Sequence, residues 1–435
     1  VLTRSLAAQE AAPVWRFDFG SGALAPGYTR VTDADAFSRE RGFGFEPGFA
    51  VSTPDRGGGD ELRGDFATGD GPFYFSAIVP EGNYRVTVTV GDRLGATATT
   101  VKAELRRLML ESITTGTGRY ETRTFVVNVR RPQIAAVGGL APGEVRLKAP
   151  RETTQEAWAW DDALTLEFNG PRPAVCALEI APVNVPTVFL LGDSTVCDQS
   201  REPYASWGQM FTRFFAPTVA IANHGESGET YRDSLGRRRL DKVLSVMKPG
   251  DHLFLQFGHN DQKQIASGRG GPFTTYKDEI KRHVEATLAF GGRPVILSPM
   301  ERRGFDAQGR AVSSLAEYAE AARQAAEELK VPFIDLNASS KVLYEALEAR
   351  GPDHAKRAFA PGDNTHHNNF GAYLIAQCVI SGMRTAVPEL AGHLAAGVAA
   401  FDPAAPPSEE SFPLPPSPLV THLRPLGDEP VPSAR

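Results

Sequence analysis

Two rhythms of apolar and polar residues divide the chain around 182–186. Ahead of that point the period is two, as in Trp15-Arg16-Phe17-Asp18-Phe19-Gly20 and again over 84–90, 120–129, 145–148 and 164–168. Short alternating runs punctuated by Gly, Pro and Asn predict strands of an antiparallel β-sandwich. Beyond it, unbroken apolar runs predict buried strands over 188–191, 218–223, 251–257, 294–298 and 332–336. Between them, apolar residues at helical spacing predict helices over 207–215, 235–247, 276–290, 314–330, 341–350 and 370–385. Strand alternating with helix is the signature of an α/β fold, a parallel, doubly wound sheet with helices on both faces. A flavodoxin-like strand order is expected, although periodicity alone does not fix it.

At 435 residues the chain is too long for a single core. The rhythm suggests a sandwich over 13–182, an α/β domain over 183–400, and a Pro- and Ser-rich tail over 401–435. In that tail Phe412, Leu414, Leu419 and Leu423 recur. These apolar residues favour a strap along the surface over a free linker. The residues over 2–12 are small and polar and read as a flank left after export or as an added linker. A net charge of -6 argues against nucleic acid as a partner, and no apolar run is long enough for a membrane span. Cys176, Cys197 and Cys378 allow one bridge at most and fit buried thiols equally well.

Candidate chemistry sits where the strands of the second half end, which is where open α/β sheets place it. Gly192-Asp193-Ser194 follows the first apolar run, Asn223-His224-Gly225-Glu226-Ser227-Gly228 the second, and Gly258-His259-Asn260-Asp261 the third. Asp363-Asn364-Thr365-His366 precedes the last helix. Ser194 is expected at an exposed turn, with a helix starting close behind it. A Ser hydroxyl needs a base to become a nucleophile. His366 can be that base, with Asp363 holding its ring. An oxyanion needs fixed donors, which the Ser194 and Gly228 N–H groups and the Asn260 amide can supply. The pair His366 and His367 raises a metal as an alternative, but consecutive side chains diverge and no third His stands at ligand spacing. No metal and no cofactor is therefore expected. His259 reads as pocket-lining or structural, and His224 and His252 as packing. Cys197 has no base of its own in sight.

The ordered set of four fragments resembles the four blocks of the SGNH, or GDSL, hydrolase superfamily, whose naming residues fall on Ser194, Gly228, Asn260 and His366. Within it, Gly192-Asp193-Ser194-Thr195-Val196, Phe257-Gly258-His259-Asn260-Asp261 and Asp363-Asn364-Thr365-His366 resemble the rhamnogalacturonan acetylesterase group, carbohydrate esterase family twelve. Phe17-Asp18-Phe19-Gly20, Pro26-Gly27-Tyr28 and Arg41-Gly42-Phe43-Gly44-Phe45 resemble the galactose-binding-like sandwich that precedes many bacterial polysaccharide esterases. The resemblance implies a secreted or periplasmic serine esterase that removes O-acetyl groups from plant cell-wall polysaccharide, foremost rhamnogalacturonan, through an acetyl-serine. An acetylxylan esterase, a lipid esterase or lysophospholipase, and a non-catalytic carbohydrate-binding protein are the alternatives. Trp15, Tyr28, Phe43, Phe45, Trp158 and Trp160 are either sugar-stacking aromatics or packing, with packing the stronger reading.

Overall fold

The computed structural model describes residues 14–263, 268 and 270–425. The flank over 2–12, residue 13 at the expected start of the sandwich, and residues 426–435 of the expected tail lie outside the described residues.

The period-two half forms two stacked sheets. One runs Thr29–Val31, Trp15–Phe19, Ala174–Pro182, Gly82–Gly91, Tyr120–Val129, with Ala67–Thr68 paired to Ala174–Pro182. The other runs Phe43–Phe45, Phe73–Ile78, Ala163–Arg172, Thr97–Ala103, Arg107–Thr115. Pairing is antiparallel except between Trp15–Phe19 and Thr29–Val31. Alternation sends Phe17, Phe19, Val86 and Val88 of one sheet against Phe45, Phe73, Phe75 and Leu166 of the other. The rings of Phe17 and Phe19 meet Phe75 edge-on at 4.9 and 5.1 Å. On the outer face the same alternation pairs hydroxyls, Thr87 with Thr124 and Thr89 with Thr122, at 3.0 and 3.1 Å.

The aromatics that might have faced sugar are engaged in packing. Phe45 and Trp160 are buried. Trp15 lies against Tyr84, Phe43 against Phe17 and Trp158 against Tyr74, at 6.0, 5.0 and 5.2 Å, and the Tyr28 hydroxyl donates to Glu179 at 2.6 Å. The strand expected over 145–148 is absent. Only Gly143–Glu144 pairs with Gln133–Ile134, and the chain then leaves the sandwich, Arg146 N–H donating to Arg237 C=O at 3.0 Å. The alternation of Val145 and Leu147 reflects packing in a small cluster with Leu105, Ile134 and Trp160 rather than a ladder.

The second half is a five-stranded parallel sheet. Its strands are Thr187–Gly192, Ala220–Asn223, His252–Gln256, Arg293–Leu297 and Phe333–Ile334, ordered second, first, third, fourth, fifth. This is the flavodoxin-like order, and its direction reverses at the first strand, where a crevice opens. The unbroken run Val188–Leu191 serves both faces. Val188 and Leu190 join the core beneath the helices Trp207–Phe211, Leu336–Glu348 and Asn369–Ala386. Phe189 and Leu191 join the core beneath Arg239–Val246, Lys277–Ala289 and Ala316–Leu329. The helix expected over 235–247 is two, Tyr231–Gly236 and Arg239–Val246, broken where Arg238 takes a positive φ of 63°. The helix expected from 341 begins at Leu336, capped by the Asp335 carboxylate on the Ala338 N–H at 3.0 Å, which cuts the preceding strand short.

The halves meet along a polar seam. Leu108 of the sandwich enters the α/β core. Gln209 and Thr212 donate to the Leu105 and Leu108 carbonyls at 2.8 and 2.7 Å. Arg107 pairs with Asp198 at 3.0 Å, and Arg106 with Glu202 at 2.6 Å, all buried. Residues 412–425 lie across both halves. Phe412 packs on Tyr373 at 4.6 Å. Lys102 of the sandwich donates to the Pro415 carbonyl at 2.9 Å, and buried Ser417 donates to Glu167 at 2.7 Å. Glu202 N–H then donates to Leu419 C=O and Thr421 N–H to Glu202 C=O, at 2.8 and 2.7 Å. Among the described residues no helix is long and apolar enough to cross a membrane.

Candidate active site

Gly192 closes the first strand where a Cβ would stand 2.3 Å from Val196 Cγ2 and 2.5 Å from Gln256 C=O. Only glycine lets the chain turn so close to its neighbour strand. Asp193 then builds the turn. Its Oδ1 accepts the Thr195 N–H and hydroxyl at 2.9 and 2.7 Å, and its C=O accepts the Val196 and Cys197 N–H groups, each at 3.0 Å. Its Oδ2 faces His259 Nδ1 at 3.3 Å. Burial works to raise this carboxyl, but His259 and the Thr195 donors prevail and hold it below its ordinary value. His259 is thus a structural partner of the turn.

Two expectations about Ser194 need correction. The helix behind it starts at Trp207, not beside it. The link is spatial: Ser206, which caps that helix, donates its hydroxyl to the Ser194 C=O at 2.6 Å, and Gln199 donates to the same oxygen at 2.8 Å. Nor is the turn exposed. Ser194 is only 3% accessible, with Gln199, Ser206 and His366 drawn in around it.

The fourth fragment closes on this serine. His366 Nε2 lies 2.8 Å from Ser194 Oγ, and His366 Nδ1 lies 3.0 Å from Asp363 Oδ2. The other oxygen of Asp363 accepts the Thr365 and His366 N–H groups at 2.8 and 3.0 Å. Burial pushes the Asp363 carboxyl up, but His366 and these N–H donors together hold it well below the carboxylate range. An anionic Asp363 on Nδ1 keeps the proton there and leaves Nε2 as acceptor for the hydroxyl. His367 turns the other way, Nε2 to the Tyr344 hydroxyl at 3.0 Å and its ring 4.4 Å from Phe359, and burial pushes it down to about 3. His224 is buried between Trp160 and Phe189, and burial drives it well below its ordinary value. His252 faces Glu389 at 3.5 Å. All three cysteines are free and buried, and burial raises the Cys197 thiol well above its ordinary value.

The remaining donors stand on the same rim. Gly228 has a positive φ of 73°. Asn260 donates its amide to the Glu229 C=O at 3.1 Å, which ties it to the Gly228 loop. The Ser194 and Gly228 N–H groups take no partner among the described residues. A cleft of about 510 Å³ adjoins the site, lined by Lys148, Arg151 and Gln155, by Gln199, Arg201 and Tyr204, and by Thr421, Leu423, Arg424 and Pro425. Tyr204 stands edge-on to His366 at 6.0 Å between ring centres. Sequence reasoning missed this wall. Its one signal was the charged stretch Lys148-Ala149-Pro150-Arg151-Glu152 in an otherwise alternating half.

Residues 190–374 match the GDSL-like lipase/acylhydrolase family, and residues 15–139 match the galactose-binding domain-like unit of β-agarase/YXIM-esterase-like proteins. The chain belongs to the GDSL-like lipase/acylhydrolase family and is an ester-cleaving hydrolase. The rhamnogalacturonan acetylesterase RhgT of Bacillus subtilis is 36% identical over 222 residues, covering 48% of this chain and 93% of that relative. The uncharacterized esterase YxiM of the same organism is 26% identical over 392 residues, covering 85% of this chain and 91% of the relative. The crystal structure of YxiM covers 89% of this chain and all of its own at 25% identity, with a TM-score of 0.44.

Proposed function

We propose that the enzyme removes O-acetyl groups from rhamnogalacturonan-type pectin by way of an acetyl-serine. The observation that carries this reading is the unbroken relay Ser194–His366–Asp363 at 2.8 and 3.0 Å. His366 takes the Ser194 proton as Oγ attacks the acetyl carbonyl, and Asp363 stabilises the imidazolium that forms. The oxyanion is received by the N–H groups of Ser194 and Gly228 and by the Asn260 amide. His366 returns the proton to the departing sugar hydroxyl. It then takes one from the water that attacks the acetyl-serine and gives it to Ser194 Oγ as acetate leaves.

The substrate class is supported by the name of the relative RhgT and by the cleft. Arg201 and Arg424 add positive charge to its wall beside Lys148 and Arg151, which are paired with Glu229, Glu156 and Glu226, and this suits a chain that bears uronate carboxylates. A polymer of this kind meets the enzyme outside the cytoplasmic membrane, in secreted or periplasmic form. The test is acetate release from acetylated rhamnogalacturonan and acetylated xylan. The pectin should be preferred, and Ser194→Ala should abolish both activities in a folded protein. His366→Ala should cost far more than His367→Ala. Preference for xylan would overturn the substrate, and an active Ser194→Ala or equal losses for the two histidines would overturn the mechanism.

A further inference from the structure

The loop that carries Gly228 is held from outside its own half. Lys148, of the sandwich half, donates from Nζ to the Ser227 C=O and pairs with the Glu229 carboxylate at 3.2 Å. One ammonium thus grips the residues on either side of Gly228. Arg151, three residues on, donates to Ser227 Oγ at 2.9 Å and pairs with Glu226 at 3.0 Å. The grip is itself braced. The Lys148 N–H donates to Glu152 at 2.8 Å, Glu152 pairs with Arg239 at 2.6 Å, and Arg239 pairs with Glu229 at 3.1 Å. The circuit therefore closes on Glu229, whose carboxylate is wholly buried.

The Ser227 carbonyl and the Gly228 N–H belong to one peptide group. That peptide is trans, so its C=O and N–H point in opposite directions across a rigid plane. A cation on the oxygen side fixes the plane and aims the N–H away from itself. It also draws electron density toward the oxygen, which makes the N–H a stronger donor. We propose that Lys148 is a positioning residue of the ester hydrolase: it orients and polarises the Ser227–Gly228 peptide so that the Gly228 N–H receives the oxyanion. The inference rests on the reading of Gly228 as an oxyanion donor. It makes the sandwich half a part of the catalytic apparatus through one side chain, with no sugar bound to it.

The test uses the full chain, a small uncharged acetate ester and phenylboronic acid, whose boronate on Ser194 places a hydroxyl where the oxyanion forms. Selective labelling of Ser carbonyl carbon and Gly amide nitrogen picks out Ser–Gly peptides by NMR, with Gly228→Ala assigning the signal. In the unmodified enzyme the boronate should move the Gly228 amide proton downfield. Loss of a whole oxyanion donor costs on the order of 10²–10³ in rate, so a donor weakened by Lys148→Met should cost about tenfold in kcat. KM should stay within about twofold, since the interaction is realised in the transition state. The boronate should bind more weakly by a factor similar to the kcat loss, with a smaller Gly228 shift, and Lys148→Arg should recover most of both. If the boronate leaves the Gly228 proton unmoved in the unmodified enzyme, the donor reading fails and this proposal with it. If the proton moves but Lys148→Met keeps kcat and the shift, Lys148 alone is overturned and the donor reading stands. Should Lys148→Met not fold, Lys148→Gln takes its place: a partial loss supports the proposal, and no loss overturns it.

Discussion

The interior of the sandwich and the seam between the halves are both buried and chemically opposite. Phe17, Phe19, Phe75, Val86 and Leu166 fill the first without a polar atom among their side chains. The second buries Arg107 against Asp198, Arg239 against Glu152 and Glu229, and Arg130 over the Trp160 ring at 4.6 Å. Apolar burial is non-directional and rewards any close fit. Buried ion pairs add little net stability, but each is costly to leave unpaired. An interior of the first kind holds a unit together; a seam of the second kind admits one alignment. The residues whose placement decides the Gly228 loop lie along the seam, where a small slip would be punished most.

The severest way to break this contrast is to remove one side of the seam. Deleting residues before Pro182 strips Asp198, Glu229 and Arg239 of Arg107, Lys148 and Glu152. The remainder should fail to fold, read as lost soluble yield and lost near-ultraviolet dichroism. A soluble α/β half with full activity on small acetate esters would abolish the distinction. Next in size, Phe75→Ala and Arg239→Met should each cost about 3–5 kcal/mol, one through a cavity and the other through stranded carboxylates. Thermal unfolding should therefore rank them together, while kcat of the folded fraction should fall only for Arg239→Met. Equal kcat values would place the seam on a par with the core. Arg201 lines the cleft without a hydrogen bond or ion pair among the described residues. Its replacement by Gln should leave stability unchanged and raise KM for an acidic polymer about two- to fivefold, as expected for one half-buried charge that meets the solvent.

A further effect is read as a slope with pH. Burial pushes buried Glu104 from 4.5 up to about 8, with Arg107 opposing. The folded chain therefore holds this proton more tightly than the unfolded one. Its contribution to stability is complete below about 4.5 and is lost as pH rises through about 8. Glu104→Gln should flatten that part of the stability curve measured by chemical denaturation. An unchanged slope would show that other groups set it.

What could be read from the chain in advance follows the range of the interactions. Val188–Leu191 is apolar because both its faces are covered by its own half, so the run alone announced the strand. Ser194 was legible through a local fragment at a strand end, and Asp363 and His366 through one ahead of the last helix; the structure brings them together at hydrogen-bond distance. The contact of Lys148 with Ser227 joins residues far apart in sequence and obeys no period, so nothing local signals it. The break at Arg238 had a local signal in Gly236, the last residue of the first helix, while the bond from Arg146 N–H to Arg237 C=O, across the seam, lies where the chain bends. At 145–148 the period of two was real but belonged to a small cluster rather than a sheet. The burial of Ser194 depends on walls supplied by other segments, which a turn motif does not encode.

The walls of the neighbouring cleft come from three places along the chain, around 148–155, 199–204 and 421–425. During synthesis Ser194, His366 and the first two walls leave the ribosome before the third. The cleft therefore acquires its complete outline only after the last wall has emerged and docked. In that interval a growing chain carries Ser194 and His366 beside a cleft that still lacks one wall.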